Sequence, residues 1–569
     1  MAGLIVVCPR FETPSDHAVD DVLSCAKLME PDNIAVRPTQ VRHENGFIVA
    51  VVNPAPDMRQ QGASMCIGSL YGSTADWWKP GAPAPDGSYV LCRYAPPNVE
   101  LMSDALGSRT VWYVETENAL LASTSQRVLV ALLGDHHLDE QAVTWMLCSG
   151  HLGWEASWDS RVRRLPSNGR LTLDRRDGRV AVQASRMSFA PQEIPEDEHV
   201  ERLKEALLGT CSSLDLRMEK WLLPLSGGLD SRALLYALLA VGKRPRCVTW
   251  GLRSSLADPR NDASIAQALA HRLSVEHTYC SLDDTAIALD EALTRFVLLS
   301  EGKTEDFAAY TDGFAMWKSF FDSGVTGVIR GDEAPLGYYA SYSSFEQARL
   351  RSRLLVLSDY RTGHTVRRLG LAETTLPPAL DPLPDENVIL YQARIAEESF
   401  IASVLAPLND LKSRYCDVVN PLQSRAILDV THRMPTTLRT ERKSLKEVVR
   451  QLGPELPYAS SKAPQTHSQL LGRQDLADEI RTWLEADVAE RVLSRDALRT
   501  VIAGLRVTSA STAKRRLRRS IKAVVPQALA RTVKPLPTVA LSGRQLAFRT
   551  YLAVRIADVL AEDARLLKR

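Results

Sequence analysis

A short run of small and acidic residues, Leu225-Ser226-Gly227-Gly228-Leu229-Asp230-Ser231, is the segment of the sequence best suited to chemistry. Glycines let backbone amides approach an anion closely, and the first turn of a helix adds partial positive charge, so a loop of this kind suits a pyrophosphate group. Ser226 and Ser231 supply hydroxyl donors. Asp230 would repel a phosphate, so we expect it to hold Mg²⁺ that bridges the phosphates.

A structural alternative stays open for this run. It could be a plain glycine turn into a helix, with Ser226 as the N-cap and Asp230 interacting favourably with the helix dipole. Two other nucleotide motifs are absent from the sequence. Gly302-Lys303-Thr304 looks like the end of a Walker loop, but Val297 stands where its first glycine should be, and no G-x-G-x-x-G fingerprint occurs in a βαβ unit.

The elements around the run predict a parallel sheet with helices on both faces. Residues 221–225 and 246–250 predict strands, and residues 232–240 between them predict a helix that ends at Gly242. Strand, loop, helix and strand therefore form a βαβ unit of about 30 residues. Residues 275–280 and 327–329 predict further strands, and the chain beyond residue 385 reads as helical.

The N-terminal third has a different residue pattern, in which short apolar runs are separated by Gly, Pro and Asn. Residues 47–52 and 110–114 predict strands, residues 138–147 predict a helix with Asp139 as its N-cap, and a strand pair turns at Asp177-Gly178. The acidic, proline-bearing stretch 191–198 predicts a linker. We therefore predict an α/β protein with a sheet-rich domain at 1–190 and a second domain at 199–569.

Composition excludes several classes of protein. The chain has 569 residues, of which 45% are hydrophobic and 24% charged, as is typical of globular proteins. Its 69 basic and 68 acidic residues leave a formal charge of +1, so we expect neither nucleic acid nor a membrane as a partner. Nine cysteines without a C-x-x-C pair indicate reduced thiols, and the sequence predicts a cytoplasmic location without a signal peptide.

Residues 226–231 resemble the pyrophosphate loop of the asparagine synthetase family, which includes asparagine synthetases, β-lactam synthetases and lasso peptide cyclases. Other segments resemble the family in the same order along the chain, from residue 100 to about 465: 101–109 with 111–113, 162–166, 171–173, Arg330-Gly331-Asp332-Glu333, 419–422, 443–447 and Ser460-Ser461-Lys462. The resemblance implies an N-terminal αββα domain of the glutamine amidotransferase (Ntn) type and a C-terminal ATP-pyrophosphatase domain.

Departures from the family pattern narrow the expected activity. Members that take ammonia from glutamine use a cysteine exposed at the mature N-terminus, because its free α-amine serves as the base. Ala2 stands at that position and Cys8 is internal, so we expect an N-terminal domain without glutaminase activity. The amine then comes from the substrate, as in the β-lactam and lasso branches. Arg232, directly after the loop, favours the lasso branch.

The predicted site combines the loop with positions taken from the resemblance. The expected ligands of ATP are Leu225, Ser226, Gly227, Gly228, Asp230, Ser231, Thr249 and Gly331, with Val248 and Trp250 beside the adenine. Asp230 and Asp332 are the expected Mg²⁺ ligands, and Lys462, Lys446 and Glu333 are the candidate catalytic residues. Tyr338 or Tyr339, with Glu397 or Glu398, could serve as a base. Each of these assignments has a structural alternative: the lysines could be ordinary surface residues, the tyrosines could be core residues, and residues 248–250 could be part of an ordinary buried strand.

The predicted function is formation of an amide bond through an acyl-adenylate, with ATP and Mg²⁺. The first candidate is macrolactam closure of a lasso peptide precursor between its N-terminal amine and an Asp or Glu side chain. A leader peptidase and a leader-binding protein are then possible partners. The alternatives are a β-lactam or asparagine-type ligase of small molecules, and a degenerate nucleotide-binding scaffold. The basic run 514–522 predicts an amphipathic helix, with docking of an acidic segment as its alternative.

Overall fold

The computed structural model describes residues 3–10, 17–56, 58–72, 75–153, 156–283, 287–332, 344–345, 367–372, 380–505 and 541–568. The predicted basic run 514–522 lies outside these residues, as do Ala2, Glu333, Tyr338 and Tyr339. Within them the chain is a mixed α/β protein, with antiparallel sheets in its N-terminal part and a parallel sheet after residue 220.

Twelve strands make up the N-terminal part as far as the structure describes it: β1 (Gly3–Pro9), β2 (Gln40–Glu44), β3 (Phe47–Val52), β4 (Arg59–Gln61), β5 (Ser64–Leu70), β6 (Gly87–Ala95), β7 (Asn98–Ser103), β8 (Trp112–Glu115), β9 (Ala119–Ser123), β10 (Arg163–Arg164), β11 (Gly169–Asp174) and β12 (Arg179–Ala184). They form two antiparallel sheets, of order β10-β8-β9-β1-β3-β2 and β12-β11-β7-β6-β5-β4. The strand pair predicted around Asp177-Gly178 is β11 and β12, and Gly178 has a left-handed φ of 68°.

The two sheets pack face to face through alternate residues of their strands. Val6 and Val49 of the first sheet share a core cluster with Val90 and Leu171 of the second. The opposite face of the first sheet is covered by helices α1 (Ala18–Ala26) and α2 (Gln126–Leu133). On the outer face of the second sheet the core cluster contains strand residues and Trp77 and Ala84, with no helix among the described residues. Of the two outer helical layers expected in an αββα arrangement, the described residues therefore form only the one that covers the first sheet.

The C-terminal part contains a parallel sheet of five strands in the described residues: β13 (Trp221–Pro224), β14 (Arg246–Gly251), β15 (His277–Ser281), β16 (Gly327–Ile329) and β17 (Asp417–Val419). Their order is β15-β14-β13-β16-β17, with Leu222 opposite Arg246 on one side and Val328 on the other. The first four strands match the predicted ones. β17 corrects the prediction that the chain is helical beyond residue 385.

Successive side chains of each strand point to opposite faces of this sheet, and both faces are buried in a core. Leu222, Val328 and Val418 belong to one core cluster. Leu223, Ile329 and Val419 belong to another. Beyond α1 and α2, the described residues form the helices α3 (Glu140–Ser149), α4 (Glu196–Ser213), α5 (Leu229–Ala240), α6 (Asp262–Arg272), α7 (Leu289–Ser300), α8 (Ala315–Asp322), and then Val388–Ile395, the π-helix Ala396–Leu405, Ala406–Ser413, Arg425–His432, Thr436–Arg439, Lys443–Leu452, His467–Leu470, Gln474–Glu485, Arg495–Ala503 and Gly543–Asp563.

One predicted boundary needs correction, and one predicted helix cap is confirmed. The predicted linker 191–198 overlaps α4, which begins at Glu196 after Pro195. The predicted helix 138–147 is α3, and Asp139 caps it by accepting a hydrogen bond from the Gln141 amide at 2.8 Å, as expected. Of the helices that the structure describes, none combines the length and the apolarity that a membrane crossing requires.

Candidate active site

The strand order of the parallel sheet places two loops side by side. From β13 the chain proceeds outward through β14 and β15, and then returns to the other side of β13 with β16 and β17. In such sheets ligands bind at the carboxyl ends of the strands where the order reverses, because the connections diverge there and leave a crevice. Residues 225–231 follow β13, and residues 330–332 follow β16. The run chosen from the sequence therefore lies at the reversal point.

Gly331 brings these two loops into backbone contact. A Cβ atom at Gly331 would lie 2.8 Å from the Ser231 amide nitrogen and 2.9 Å from the Asp230 carbonyl carbon. A side chain cannot be accommodated at such distances, so glycine is required for the acidic loop to touch the first turn of α5. The predicted ligands Gly331 and Ser231 are thus neighbours.

The two serines of the run organise its backbone. The Gly228 amide donates to Ser226 Oγ at 3.1 Å, the Ser226 amide donates to Ser231 Oγ at 3.1 Å, and the two hydroxyl oxygens are 3.0 Å apart. Gly228 is the N-cap of α5 and no side chain caps the helix, so the alternative with Ser226 as the N-cap is wrong. The first turn of α5 is left without a side-chain cap at the cleft.

Gly227 is required by crowding. Neither Gly227 nor Gly228 has a positive φ, so a left-handed backbone conformation is not the reason for either glycine. A Cβ at Gly227 would lie 2.4 Å from Ala459 Cβ and 3.0 Å from Ile265 Cβ. Two further segments of the chain therefore close onto this residue.

The segment that carries Lys462 is one of them, and backbone hydrogen bonds tie it to the edge of the sheet. The Ala459 amide donates to the Gly227 carbonyl at 3.1 Å, and the Leu252 amide donates to the Ala463 carbonyl at 3.0 Å. Asn261 Nδ2 donates to the carbonyl of Lys462 itself at 3.0 Å. The main chain of Lys462 is thereby fixed beside the loop while its side chain is exposed.

Asp262, at the start of α6, is a residue that the sequence prediction missed. Its Oδ1 accepts a hydrogen bond from the Gly227 amide at 3.0 Å, where a phosphate oxygen would be expected. Burial raises the pKa of this carboxyl, and the Gly227 amide and Lys462 oppose that rise. An aspartate after an N-cap asparagine, Asn261, reads as ordinary capping chemistry, so nothing local in the sequence marks it.

Asp332 and Arg330 form a bidentate ion pair in the second loop, with N–O distances of 2.8 and 2.6 Å. Burial alone would raise the pKa of Asp332, but Arg330 and the buried Lys412 outweigh it and lower the pKa. The Asp332 carbonyl accepts hydrogen bonds from Asn420 Nδ2 at 2.9 Å and Gln423 Nε2 at 3.0 Å. Residues after β17 therefore hold the loop that follows β16.

Lys412, in the helix Ala406–Ser413, adds a second cation near this loop. It is 5% exposed, and burial together with Arg330 lowers its pKa to about 7. No pattern in the sequence distinguished this lysine from an ordinary helix residue.

Asp230, the other predicted metal ligand, is engaged by an arginine. Arg442 Nη1 lies 2.6 Å from both carboxylate oxygens of Asp230. Among the described residues no cluster of three or more His, Cys, Asp or Glu side chains could hold a metal ion. Mg²⁺ commonly binds through one or two carboxylates together with phosphate oxygens, so Asp230 and Asp332 still fit such an ion if a nucleotide supplies the other ligands.

A cleft of about 160 Å³ opens between these loops, and its walls include Ser226, Ser231, Asp262, Gly331 and Asp332. One wall is the end of β14, from Val248 to Trp250, the residues predicted to lie beside the adenine. Thr249 donates its hydroxyl to the Leu225 carbonyl at 2.6 Å, so it supports the loop instead of offering a free donor.

Other predicted residues lie elsewhere. Lys446 is on the helix Lys443–Leu452 and lines a separate groove, not the cleft. Glu397 is buried and contacts His432 at 2.5 Å and Arg439 at 3.3 Å. Glu398 is buried, accepts the Met187 amide at 2.9 Å and pairs with Arg394 at 3.2 Å. These contacts give both glutamates structural roles.

Two further residues singled out in the sequence also have structural partners. Lys303 of the Walker-like run pairs with Asp410 at 2.6 Å, and both are buried. Cys8 is fully buried within β1, and burial raises its pKa to about 12. A thiol in that state is a poor nucleophile at neutral pH.

Comparison of the chain with models of known protein families and with curated protein sequences finds no match. The geometry of the cleft is therefore the main support for a function.

Proposed function

We propose that the chain is an ATP-dependent, AMP-forming carbon–nitrogen ligase that activates a carboxylate as its acyl-adenylate. The observation that carries the proposal is the contact between residues 226–231 and residues 330–332 at the reversal point of a parallel sheet. That position, next to an uncapped helix N-terminus, favours a polyphosphate. In this proposal the C-terminal part is an ATP-pyrophosphatase domain and the N-terminal sandwich is of the amidotransferase type.

Residues that line the cleft or lie beside it have proposed tasks. The Gly227 amide, once released from Asp262, and the first turn of α5 would hold the pyrophosphate that leaves. Arg330 and Arg442, which now pair with carboxylates, are close enough to the loops to neutralise phosphate charge. Lys462 would stabilise the negative charge that develops when the substrate carboxylate attacks the α-phosphate and when the amine attacks the adenylate. Trp250 and Val248 would form the wall beside the adenine.

Asp230 and Asp332 are the residues that would hold Mg²⁺. Bound there, the ion would neutralise the leaving pyrophosphate and orient it for departure. Because each of these carboxylates is paired with an arginine, binding of Mg²⁺ with a nucleotide requires the ion pairs to rearrange.

At the level of substrate, we propose macrolactam closure of a lasso peptide precursor, with the N-terminal amine attacking an activated Asp or Glu side chain. Support comes from the buried Cys8, which gives the N-terminal part no reactive thiol at that position; in this proposal the amine is carried by the substrate. Holding both ends of one peptide in the cleft makes the second step unimolecular and lowers its barrier.

A nucleotide-binding scaffold is the second candidate. It is favoured by the pairing of both candidate metal ligands with arginines, an arrangement that would be stable without any reaction.

Exchange of labelled pyrophosphate into ATP, dependent on Mg²⁺ and on an added pool of acidic peptides, separates the two candidates. The ligase proposal expects exchange that disappears when the peptide carboxylates are amidated and in an Asp332→Asn variant. A His43→Ala variant, altered at an exposed position of β2 remote from the cleft, should exchange as the wild type does. Nucleotide binding without exchange for any acid would support the scaffold.

A further inference from the structure

A second groove lies next to the cleft, on the outer side of the segment that carries Lys462. One wall is the helix Lys443–Leu452 and the other is the stretch from Pro454 to Tyr458, and they enclose about 640 Å³. The same stretch continues to Ala463 and Pro464, which line the cleft. The groove and the cleft are thus joined by a few residues of one extended segment.

The floor of the groove is built around a buried arginine. Arg232 is 1% exposed, and its Nη1 and Nη2 donate to the carbonyls of Leu456 and Pro457 at 2.6 and 2.7 Å. Its guanidinium lies 4.2 Å from the ring centre of Tyr458, while its Nε is buried without a hydrogen-bond partner. Tyr458 itself is 46% exposed, so an arginine rigidly supports an aromatic ring that faces solvent.

Two cations at the rim of the groove have no counter-ion in the part of the chain that the structure describes. Lys443 and Lys446 are exposed residues of the helix wall, and neither forms an ion pair with any described residue. The nearby Glu447 is already paired with Arg450 at 2.6 Å. The other carboxylate of the groove, Glu455, has no ion pair among the described residues, so two unpaired positive charges face one unpaired negative charge and the unpaired charge of the groove is net positive.

The spacing of the lysines indicates the form of the ligand. Side chains three residues apart on a helix have Cβ atoms about 5–6 Å apart. In an extended peptide, side chains two residues apart point to one side and are about 7 Å apart. Two carboxylates in the alternation Glu-x-Glu or Asp-x-Glu can therefore reach Lys443 and Lys446 together, while an apolar or aromatic residue of the peptide packs on Tyr458.

We propose that this groove binds an extended peptide segment with alternating carboxylates, and presents the continuation of that peptide to the cleft. Glu447 and Glu455 also line the groove, so it suits separate carboxylates on one side of a peptide better than a continuous phosphate backbone such as that of single-stranded nucleic acid. The proposed binding of an acidic peptide does not depend on whether the chain is a ligase. Its interpretation as part of the substrate rests on the proposed function.

Fluorescence anisotropy of the full-length protein with a short fluorescein-labelled peptide of alternating Glu residues tests the groove. We expect saturable binding that weakens with added salt and is lost when Gln replaces each Glu. The double variant Lys443→Glu/Lys446→Glu should weaken binding by about tenfold or more, because two attractions become repulsions. The matched control Lys27→Glu/Lys220→Glu, at two exposed lysines outside the groove, should bind as the wild type does.

Equal affinity for the Glu and Gln peptides, or no effect of the groove double variant, would overturn the proposal. Stronger competition by a single-stranded oligonucleotide than by unlabelled Glu peptide would also overturn it. So would conversion of an oligomer to a monomer by the double variant, because the groove would then be an interface between copies of the chain. Because the assay contains no ATP, its failure would leave pyrophosphate exchange, the test of the proposed function, unaffected.

Discussion

Three carboxylates meet at the mouth of the parallel sheet, and each has a different partner. Asp230 pairs with Arg442, Asp332 pairs with Arg330, and Asp262 accepts the Gly227 amide. A polyphosphate entering the cleft would compete with Asp262 for that amide and with two carboxylates for their arginines. The residues of the cleft therefore already satisfy, within the protein, the charges that a nucleotide and its metal ion would supply.

Asp262→Asn is expected to tighten binding of Mg·ATP at neutral pH, by about fivefold, because it removes a negative charge that faces the phosphates. The amide oxygen of Asn can still accept the Gly227 N–H. Isothermal titration of ATP with excess Mg²⁺ measures the change. Weaker binding by the variant would mean that Asp262 holds the metal instead of repelling the nucleotide.

The same variant should alter the pH dependence of stability. The pKa of Asp262 is raised above its ordinary value of 3.8, so the folded state holds the proton more tightly than the unfolded state. The wild type therefore loses this part of its stability as the pH rises from about 3.8 through the raised pKa. Urea denaturation should show the Asn variant gaining on the wild type over that window, whereas a constant difference across it would contradict the raised pKa.

The pair of Asp230 and Arg442 calls for a double-variant design. Asp230→Ala leaves the largely buried Arg442 without its carboxylate, so we expect it to lose about 3 kcal/mol of unfolding free energy in addition to pyrophosphate exchange. Asp230→Ala/Arg442→Met should recover most of the stability in urea denaturation without recovering exchange. Exchange by the double variant at the wild-type rate would remove Asp230 from the metal site.

At the scale of elements, close backbone approach decides the shape of the site. Gly227 lies against Ala459 and Ile265, and Gly331 lies against the first turn of α5. Three segments that are far apart in sequence, the loop after β13, the loop after β16 and the stretch 456–463, therefore meet with no room for side chains at their contacts.

Gly227→Ala should displace the segment that carries Lys462, costing about 1–3 kcal/mol of stability and most of the affinity for ATP. Gly209→Ala is the matched control, since Gly209 lies within α4 with nothing within 4 Å of its added Cβ. The control should be stabilised by about 0.5–1 kcal/mol, as expected for alanine in a helix. Thermal denaturation and ATP titration of both variants give the comparison, and unchanged ATP affinity in Gly227→Ala would refute the crowded contact.

The elements that sequence patterns predicted are those with local signals. β13, β14 and β16 have compact apolar runs, and α3 has an aspartate cap, so their positions were predicted closely. β17, Asp417–Val419, has only two apolar residues after an aspartate and lies in a stretch whose other described elements are helices, so the sequence predicts helix there.

The partners within the site follow from tertiary structure and could not be predicted. Arg442 is 212 residues away from Asp230, and the Gly227 amide meets Asp262 35 residues later. No periodicity reports contacts over such distances, so the sequence indicated the loop and the second acidic segment but not what neutralises them.

At the scale of the whole molecule, buried ion pairs join the N-terminal sandwich to the parallel-sheet part. Arg109 pairs with Asp417 at the start of β17, and Arg127 pairs with Asp563 near the C-terminus at 2.8 Å. The helix Gly543–Asp563 also shares a core cluster with α2 and α3. The sandwich is thus part of the structural support of the sheet that carries the cleft.

This arrangement suggests that the sandwich serves as support and not as a source of ammonia. We expect a Cys8→Ser variant to keep pyrophosphate exchange, and we expect neither wild type nor variant to release ammonia from glutamine. Coupled detection of glutamate measures the release. Glutamine hydrolysis that disappears in Cys8→Ser would contradict the account, because it would require a buried thiol of raised pKa to act as the nucleophile.

The central claim is that residues 226–231 hold the pyrophosphate part of a nucleotide. Isothermal titration of the wild-type protein and Gly227→Ala with inorganic pyrophosphate in excess Mg²⁺ tests it most directly, with ATP as the competitor. We predict one site in the wild type that ATP blocks and that Gly227→Ala loses. No binding to the wild type, or equal binding to the variant, would contradict the claim.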